Sequence, residues 1–312
     1  MYDNNPIKFW KNFRLGTELH ISGSFIYNAI YSFDQIEYFY YEYDVFEFLY
    51  SLSIGLERLE KIVVILTEHN NEIDQEEFER TLITHNHVEL LKRIKNKHTL
   101  NLGEQHVKLL QFISDFYRTT RYSRYNLESV YQKNQDLHGF VNFLKQELNV
   151  TEKEGIQPMV ANSTRIKKFI GKLIGKITTE FYELVLKETG RLGIFTHEIA
   201  TYSKSYKIFL AKEFTFEKER HLQKEILILL QSEKIDDGMT RFIRSINPLS
   251  FENYSSAEYI RFLMDIRSNS DIVDEMESIL EDEPMTKVRF EQVSLIGRDD
   301  LYFQEEDDEF ER

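Results

Sequence analysis

The sequence predicts a mostly α-helical protein, and two observations lead to that prediction. Only 4 prolines and 12 glycines occur in 312 residues, a scarcity that favours long helices over strands joined by turns. The stretch from Val45 to Asn70 has a clear helical period of apolar residues. Cysteine is absent, which excludes disulfides, thiolate metal sites and a cysteine nucleophile, and makes the reducing cytoplasm the expected compartment.

We predict four parts along the chain. They are an aromatic-rich segment at 1–44, a helical domain at 45–150, a second mostly helical domain at 163–280 and an acidic tail at 281–312. A chain of this length can bury one large core or two modest ones. The stretch 149–164 contains Gly155 and Pro158 and has little periodicity, so it is the expected boundary. The fold class is a multi-helix bundle followed by a second helical region, with room for a few short strands.

The N-terminal segment is rich in phenylalanine and tyrosine, a density typical of a core or a buried seam between elements. Within it, Leu19–Gly23 is predicted to form a short strand or turn before a helix that begins near Ser24. The next stretch, Val45–Asn70, is the clearest helix, because seven apolar residues share one face. They are Val45, Leu49, Leu52, Leu56, Leu59, Val63 and Leu66. The charged run from Glu57 to Lys61 is predicted to be a solvated flank with helical ion pairs.

The remaining periodic stretches predict further helices. Their expected ranges are 75–94, 103–118, 126–148 with Asn126 as N-cap, 163–189 with Ser163 or Thr164 as cap and Gly190 as the stop, 216–231, 239–246, 256–267 and 271–280. Residues 191–216 fit either a helix or short strands. For the tail, disorder and an ordered contact with a basic surface both remain open.

Charge is distributed unevenly along the chain, which has a net charge of −14. Residues 271–312 contain 16 acidic and 4 basic residues, so most of the acidity lies in the tail. Residues 88–126 contain 8 lysines and arginines against 3 acids, and 165–176 contain five basic residues and no acid. The first basic stretch is a surface for an anionic partner such as RNA, while the second is most simply a solvated helix face.

The familiar catalytic signatures are absent from the sequence. There is no phosphate-binding Gly-x-x-x-x-Gly-Lys-Ser/Thr, no His-Glu-x-x-His, no Gly-x-Ser-x-Gly and no Gly-x-Gly-x-x-Gly after a strand. His85 and His87 lie two apart on a predicted helix, so they point in different directions, and no carboxylate four residues away completes a metal-binding face. We therefore expect neither a metal site nor a cofactor.

The densest group of polar and aromatic residues lies between Arg80 and Asn126. RNA cleavage without a metal needs an acid or base that works near neutral pH and a cation that holds the phosphate. The residues that could supply this chemistry are His87 and His85 as acid or base, Arg118 and Arg121 as catalytic cations, and Arg124, Tyr122, Tyr125, Lys92 and Arg93 as RNA contacts. The alternative is structural: His87 packs between helices, and the arginines cover helix ends and pair with acids such as Asp115.

Three stretches of this region resemble the HEPN superfamily of small helical proteins. They are Ser53–Lys61 on the first long helix, His87–Leu91 on the second and Tyr117–Tyr122 after the third, within Val45–Leu148. The resemblance implies a helical bundle of HEPN type, action on RNA as a metal-independent ribonuclease in antiphage defence or a toxin–antitoxin system, and a homodimer whose site is completed across the interface. Active members have an Arg followed after four to six residues by His. Here no His follows Arg118, Arg121 or Arg124 at that distance.

That departure favours an alternative of a different class, a catalytically inert helical interaction subunit of a defence complex. A protein partner would then contact the acidic tail or the aromatic N-terminal segment. The chain also resembles an uncharacterised group of bacterial proteins through Phe169–Lys176 and Tyr202–Phe209, a resemblance that implies no activity. The start of the chain has no signal-like pattern, and the longest aliphatic run is Ile62–Leu66, so no membrane contact is expected.

Overall fold

The structure is a computed structural model, and it describes most of the chain. The described residues are 5–120, 125–127, 134–150, 160–232, 235, 237–264, 270–282 and 286–298, with only the backbone described at 119, 120 and 270. The chain divides into two compact units, Met1–Phe216 and Glu217–Arg312. The predicted fold class, mostly α-helical with many helices, is confirmed.

The first unit is a helical bundle with one small antiparallel sheet. Its helices are α1 (Pro6–Phe9), α2 (Leu15–Gln35), α3 (Glu42–Glu68), α4 (Gln75–Thr81), α5 (His87–Lys95), α6 (Glu104–Asp115), α7 (Gln135–Leu148), α8 (Thr164–Leu192) and α9 (Lys204–Phe209). Two π-helical turns, Trp10–Arg14 and Phe116–Thr120, follow α1 and α6. Strands β1 (Tyr38–Phe39) and β2 (Val160–Ala161) pair with Tyr38 opposite Ala161.

Helix α3 is the central element of this unit. The seven apolar residues that predicted it, from Val45 to Leu66, are all 0% exposed, which confirms the predicted face. Helices α2, α5, α6, α7 and α8 all contact α3. Buried side chains of the N-terminal segment, of α3 and of α8 belong to one hydrophobic core, although the sequence assigned them to three parts.

Helices α2 and α3 approach each other closely at Gly55. A Cβ atom at this position would lie 2.7 Å from Ile26 Cγ1 and 2.9 Å from the Ile26 backbone nitrogen. The Ser22 hydroxyl donates a 2.7 Å hydrogen bond to the Gly55 carbonyl oxygen at the same contact. The predicted strand or turn at 19–23 is therefore wrong, because its small residues serve helix packing inside α2.

The prediction of one helix over 75–94 is also wrong, since this stretch forms two helices. Thr81 ends α4, and Asn86 caps α5 by accepting hydrogen bonds from the backbone nitrogens of Val88 and Glu89. An asparagine side chain satisfies free N–H groups at a helix start and thereby favours a break there. His85 consequently lies in the loop before α5, outside any helix.

The ends of α7 and α8 follow from backbone conformation. Helix α7 begins at Gln135 after Asn134, which adopts a left-handed conformation with φ of 59°. The predicted cap at Asn126 is followed by residues 128–133, which lie outside the described ranges. The predicted stop at Gly190 is wrong, because α8 continues to Leu192 and ends at Gly193 with φ of 63°. Glycine tolerates this conformation without steric cost. The predicted Ser163 cap is confirmed, since its side chain accepts from Ile166 N.

The second unit contains helices at the predicted positions. They are α10 (Glu217–Gln231), α11 (Gly238–Ser245), α12 (Ser256–Met264) and α13 (Ser270–Asp282), followed by α14 (Lys287–Ser294), which the sequence did not predict. Glu275 of α13 accepts hydrogen bonds from the backbone nitrogens of Glu252 and Asn253 and from the Tyr259 hydroxyl. No helix in the described part of the chain is long and apolar enough to cross a membrane.

Candidate functional site

A groove of about 570 Å³ runs along one face of α3 in the first unit. Its wall residues come from α3, from the N-terminal helices, from the loop before α5 and from the second π-helical turn. They are Trp10, Leu15, Glu18, Phe25, Tyr50, Ile54, Glu57, Arg58, Lys61, Ile62, Ile65, Leu82, His85 and Tyr117. From Tyr50 to Ile65, the α3 residues of this set follow one helical stripe about 22 Å long at 1.5 Å per residue.

His85 is the histidine that faces this groove. Its Nδ1 lies 2.9 Å from Glu57 Oε2, and its side chain is 51% exposed. Glu57 is itself 9% exposed at the side chain and also accepts a 2.6 Å hydrogen bond from the Lys61 ammonium. The carboxylate thus fixes the orientation of the imidazole and holds a cation beside it, while about half of the His85 side chain remains exposed. This is the arrangement that a general acid or base needs.

A second cation beside Lys61 is Arg58, which directly follows Glu57 on α3. The Arg58 guanidinium donates from Nη1 to Glu18 Oε2 of α2, and both side chains are partly exposed. Arg58 Nε is buried and has no hydrogen-bond partner among the described residues. Because this atom is closed to solvent, Arg58 contributes its positive charge to the groove and not this N–H.

Aromatic rings form a column at one end of the groove. Tyr50 stacks on Phe46 at 5.7 Å and on Tyr117 at 6.0 Å, and the His85 ring lies 4.8 Å from Tyr117. Tyr117 lies in the π-helical turn that follows α6, directly before Arg118 of the basic stretch at 88–126. These rings pack on one another and give this end of the groove an apolar aromatic wall.

His87 lies inside the core, at the first position of α5. Its Nδ1 is 2.7 Å from Glu60 Oε2 and its Nε2 is 3.0 Å from Ser53 Oγ, while all three residues are 0% exposed. Burial raises the pKa of Glu60, against the opposing influence of His87. The order serine, histidine, carboxylate is that of a hydrolytic triad, but none of these side chains has a surface for a substrate. The alternative considered for His87, packing between helices, describes this position.

The other predicted site residues are dispersed. Arg118 is exposed and directly follows Tyr117, and Tyr125 is 86% exposed. Lys92 is exposed, whereas Arg93 is bound by Glu68, to which its Nη2 donates at 2.6 Å, and by the Thr81 carbonyl oxygen. Arg121, Tyr122 and Arg124 lie outside the described residues. Among the described members of the predicted catalytic set, which are His85, His87 and Arg118, His85 alone lines the groove.

Glu57, Lys61 and Tyr50 are functional candidates that the sequence reasoning missed. The run Glu57–Lys61 was expected to be a solvated flank, but Glu57 and Glu60 are buried and each holds a histidine. The predicted helical ion pair between Glu57 and Lys61 is confirmed. The spacing contained a signal. Glu57 and Glu60 are three residues apart on one helix, and they pair with His85 and His87, which are two residues apart at the start of another. Within the described ranges, no three or more His, Asp or Glu side chains form a metal-binding group.

Comparisons with known proteins place the chain in no family. No protein-family model, no curated protein and no solved structure matches it. The resemblance to the HEPN superfamily therefore remains a prediction based on the residues quoted for it.

Proposed function

We propose that this chain binds RNA in the groove along α3 and cleaves it without a metal ion. The observation that carries this proposal is His85, an exposed imidazole that a buried carboxylate orients beside the Lys61 ammonium. The sequence offered His87 and His85 as the acid or base. We assign this role to His85, because His87 has no exposed surface. We place the activity in the cytoplasm of a bacterium, in antiphage defence or a toxin–antitoxin system, as the HEPN resemblance implies.

The reaction follows from the positions of these groups. His85 removes the proton of a ribose 2′-hydroxyl, and the 2′ oxygen attacks the adjacent phosphorus while the bond to the 5′ oxygen breaks. The leaving 5′ oxygen takes a proton from water, and the other product ends in a 2′,3′-cyclic phosphate. Lys61 and Arg58 stabilise the negative charge that develops on the phosphate oxygens. Glu57 keeps the imidazole in one orientation during the reaction.

The basic segment extends this site along the chain. Tyr117 contacts His85, and the exposed Arg118 comes next in sequence. A strand that leaves the groove at Tyr117 would meet Arg118 first, and Arg121, Tyr122, Arg124 and Tyr125 follow Arg118 in sequence. These residues are proposed as RNA contacts. The HEPN resemblance also implies a homodimer, with the partner copy completing the site.

Metal-free RNA cleavage tests the proposal directly. Purified protein is incubated with total RNA in the presence of a chelator, and the fragments are examined for 2′,3′-cyclic phosphate ends. We expect cleavage by the wild type, at least about a hundredfold less cleavage by His85→Ala, and little change in His138→Ala. His138 is a suitable control because it is exposed on α7 and lies outside the groove lining. Absence of cleavage by the wild type in every oligomeric state would defeat the proposal.

A second candidate, a catalytically inert interaction subunit, is favoured by one feature of the second unit. Helix α10 has no buried residue and exposes apolar side chains between Leu222 and Leu230. They are Leu222, Ile226, Ile228, Leu229 and Leu230, each at least 44% exposed. Exposed apolar side chains in such a cluster are typical of protein contact surfaces. The acidic tail would add a charged contact to such a partner.

A further inference from the structure

The groove along α3 has two apolar ends and a charged middle. One end is formed by Trp10, Leu15, Ile62, Ile65 and Leu82, and the other by Phe25, Tyr50, Ile54 and Tyr117. The charged side chains Glu18, Glu57, Arg58, Lys61 and His85 lie between them. Tyr50 lies seven residues before Glu57, and Ile65 lies seven residues after Arg58. Each distance is roughly 10 Å along the helix axis.

The contacts between α2 and α3 fix this order of residues. Trp10 contacts His69 at 5.3 Å, Glu18 pairs with Arg58, and Ser22 bonds to Gly55, so the two helices run antiparallel. Trp10 and Leu15 therefore lie beside the C-terminal end of α3, and Phe25 lies beside its Ile54 end. The opposite wall follows the same order, because Leu82 precedes His85, which binds Glu57.

The middle of the groove has donors for one anionic group of low charge. The Lys61 ammonium has three N–H donors, of which Glu57 takes one, and Arg58 adds a second positive charge. The two cations face two carboxylates, Glu57 and Glu18, so the middle is close to neutral when His85 is neutral. A phosphodiester with one negative charge suits this balance better than a terminal phosphate, which has nearly two.

We propose that the groove binds one dinucleotide step of an unpaired RNA strand. The internal phosphodiester lies in the charged middle beside Lys61 and His85, and one base occupies each apolar end. A base in either end presents its face to the walls, which requires that it leave the stack of a duplex. This inference rests on the proposed function for the identity of the ligand, and it adds the number of bases bound and the kind of phosphate recognised.

The single tryptophan of the chain makes this inference testable by binding alone, because Trp10 lines one end. The full chain is titrated with a 2′-deoxy dinucleoside monophosphate, which cannot be cleaved, and Trp10 emission is followed. Parallel titrations use a nucleoside 5′-monophosphate and inorganic phosphate. We expect the dinucleoside monophosphate to bind about tenfold or more tighter than the mononucleotide, since it adds a second stacked base and lacks the extra charge.

Variants locate the site and separate its parts. Lys61→Gln should weaken dinucleoside monophosphate binding about tenfold, whereas Lys176→Gln should leave it unchanged. Lys176 is a matched control, because it forms the same kind of pair with Glu180, also at 2.6 Å and four residues apart. Leu82→Ala and Ile54→Ala, which each alter one end, should both lower the affinity for the dinucleoside monophosphate and leave that for inorganic phosphate unchanged. Thermal unfolding of each variant verifies that it is folded.

Equal affinity for the dinucleoside monophosphate and the mononucleotide would overturn the two-base arrangement, as would unchanged Trp10 emission with every probe. Cleavage of RNA by a protein that shows no such preference would overturn this inference and leave the proposed function in place. Tight binding of the dinucleoside monophosphate by a protein that cleaves no RNA would support this inference and reject the proposed catalysis.

Discussion

His87 Nδ1 lies 2.7 Å from Glu60 Oε2, and neither side chain has any exposed surface. Removal of the imidazole in His87→Ala leaves Glu60 and Ser53 without this partner and creates a cavity in the core. We expect this change to lower the free energy of unfolding by about 2–4 kcal/mol, measured by urea denaturation. His85→Ala, two residues earlier and half exposed, should cost less than about 1 kcal/mol. Equal stability of wild type and His87→Ala would contradict the role of this pair.

Glu60 should make stability depend on pH. Its pKa is raised above the ordinary 4.5 because burial disfavours the charged form, so the folded state holds a proton that the unfolded state releases. Its contribution is present in full below about pH 4.5 and is lost as pH rises through the higher folded-state pKa. The Glu60→Gln variant keeps a side chain that can form hydrogen bonds but has no ionisable group. The unfolding free energy of wild type minus that of Glu60→Gln should therefore fall with rising pH in urea denaturation, and a flat difference would contradict this.

Gly55 should tolerate no side chain, whereas Gly190 should. A Cβ at Gly55 meets Ile26 backbone and side-chain atoms within 3.0 Å, but a Cβ at Gly190 has nothing within 4 Å. Gly55→Ala should therefore destabilise the protein by about 1–3 kcal/mol. Gly190→Ala, also inside a helix, should stabilise it by up to about 1 kcal/mol because alanine favours helix. Thermal and urea unfolding of the two variants make the comparison, and an equal response would show that α2 and α3 are not in close contact.

Asn86 should stabilise both α5 and the loop that presents His85. Its side chain accepts from Val88 N and Glu89 N, and alanine cannot replace these bonds. Asn86→Ala should cost about 1 kcal/mol of unfolding free energy, while Asn86→Asp, which keeps a capping oxygen, should cost less. The same denaturation series measures both, and equal losses in the two variants would argue against a capping role.

The acidic tail should weaken RNA binding if it covers the basic segments of the chain. Deletion of residues 281–312 should then strengthen binding to RNA, and the affinity of both proteins should fall steeply as salt rises. Filter binding at about 50 and about 200 mM salt measures both effects. Unchanged affinity after the deletion would dispose of the covering role, and affinity insensitive to salt would argue against phosphate contacts.

The elements that the sequence predicted well depend on local information. Helix α3 was predicted because seven apolar residues repeat at spacings of three and four, a pattern that one core face explains without any partner. The Ser163 cap was predicted for the same reason, since a cap concerns only the next three residues. The errors at Leu19–Gly23 and Gly190 concern small residues, which signal a turn in isolation. Only the tertiary structure shows that these residues permit close packing or lie inside a longer helix.

The site was harder to predict because its partners are distant in sequence. His85 and Glu57 are 28 residues apart, and His87 and Glu60 are 27 apart. Whether the Glu57–Lys61 run faces water or histidines depends on the path of the loop between α4 and α5. That path depends in turn on Asn86, whose capping signal lay inside a stretch predicted as a continuous helix. Of the dense polar region, His85 lines the groove, while the carboxylate and the ammonium beside it lie on α3.

The π-helical turn at Trp10–Arg14 lets the chain change length by one residue beside the groove without disturbing the helices around it. A π-helical turn holds one more residue than an α-helical turn, so the helix on either side keeps its direction. Deletion of a single residue there would restore the ordinary winding and leave α2 in register with α3. Natural variants that lose one residue in this turn would thus retain every side chain that α3 contributes to the groove.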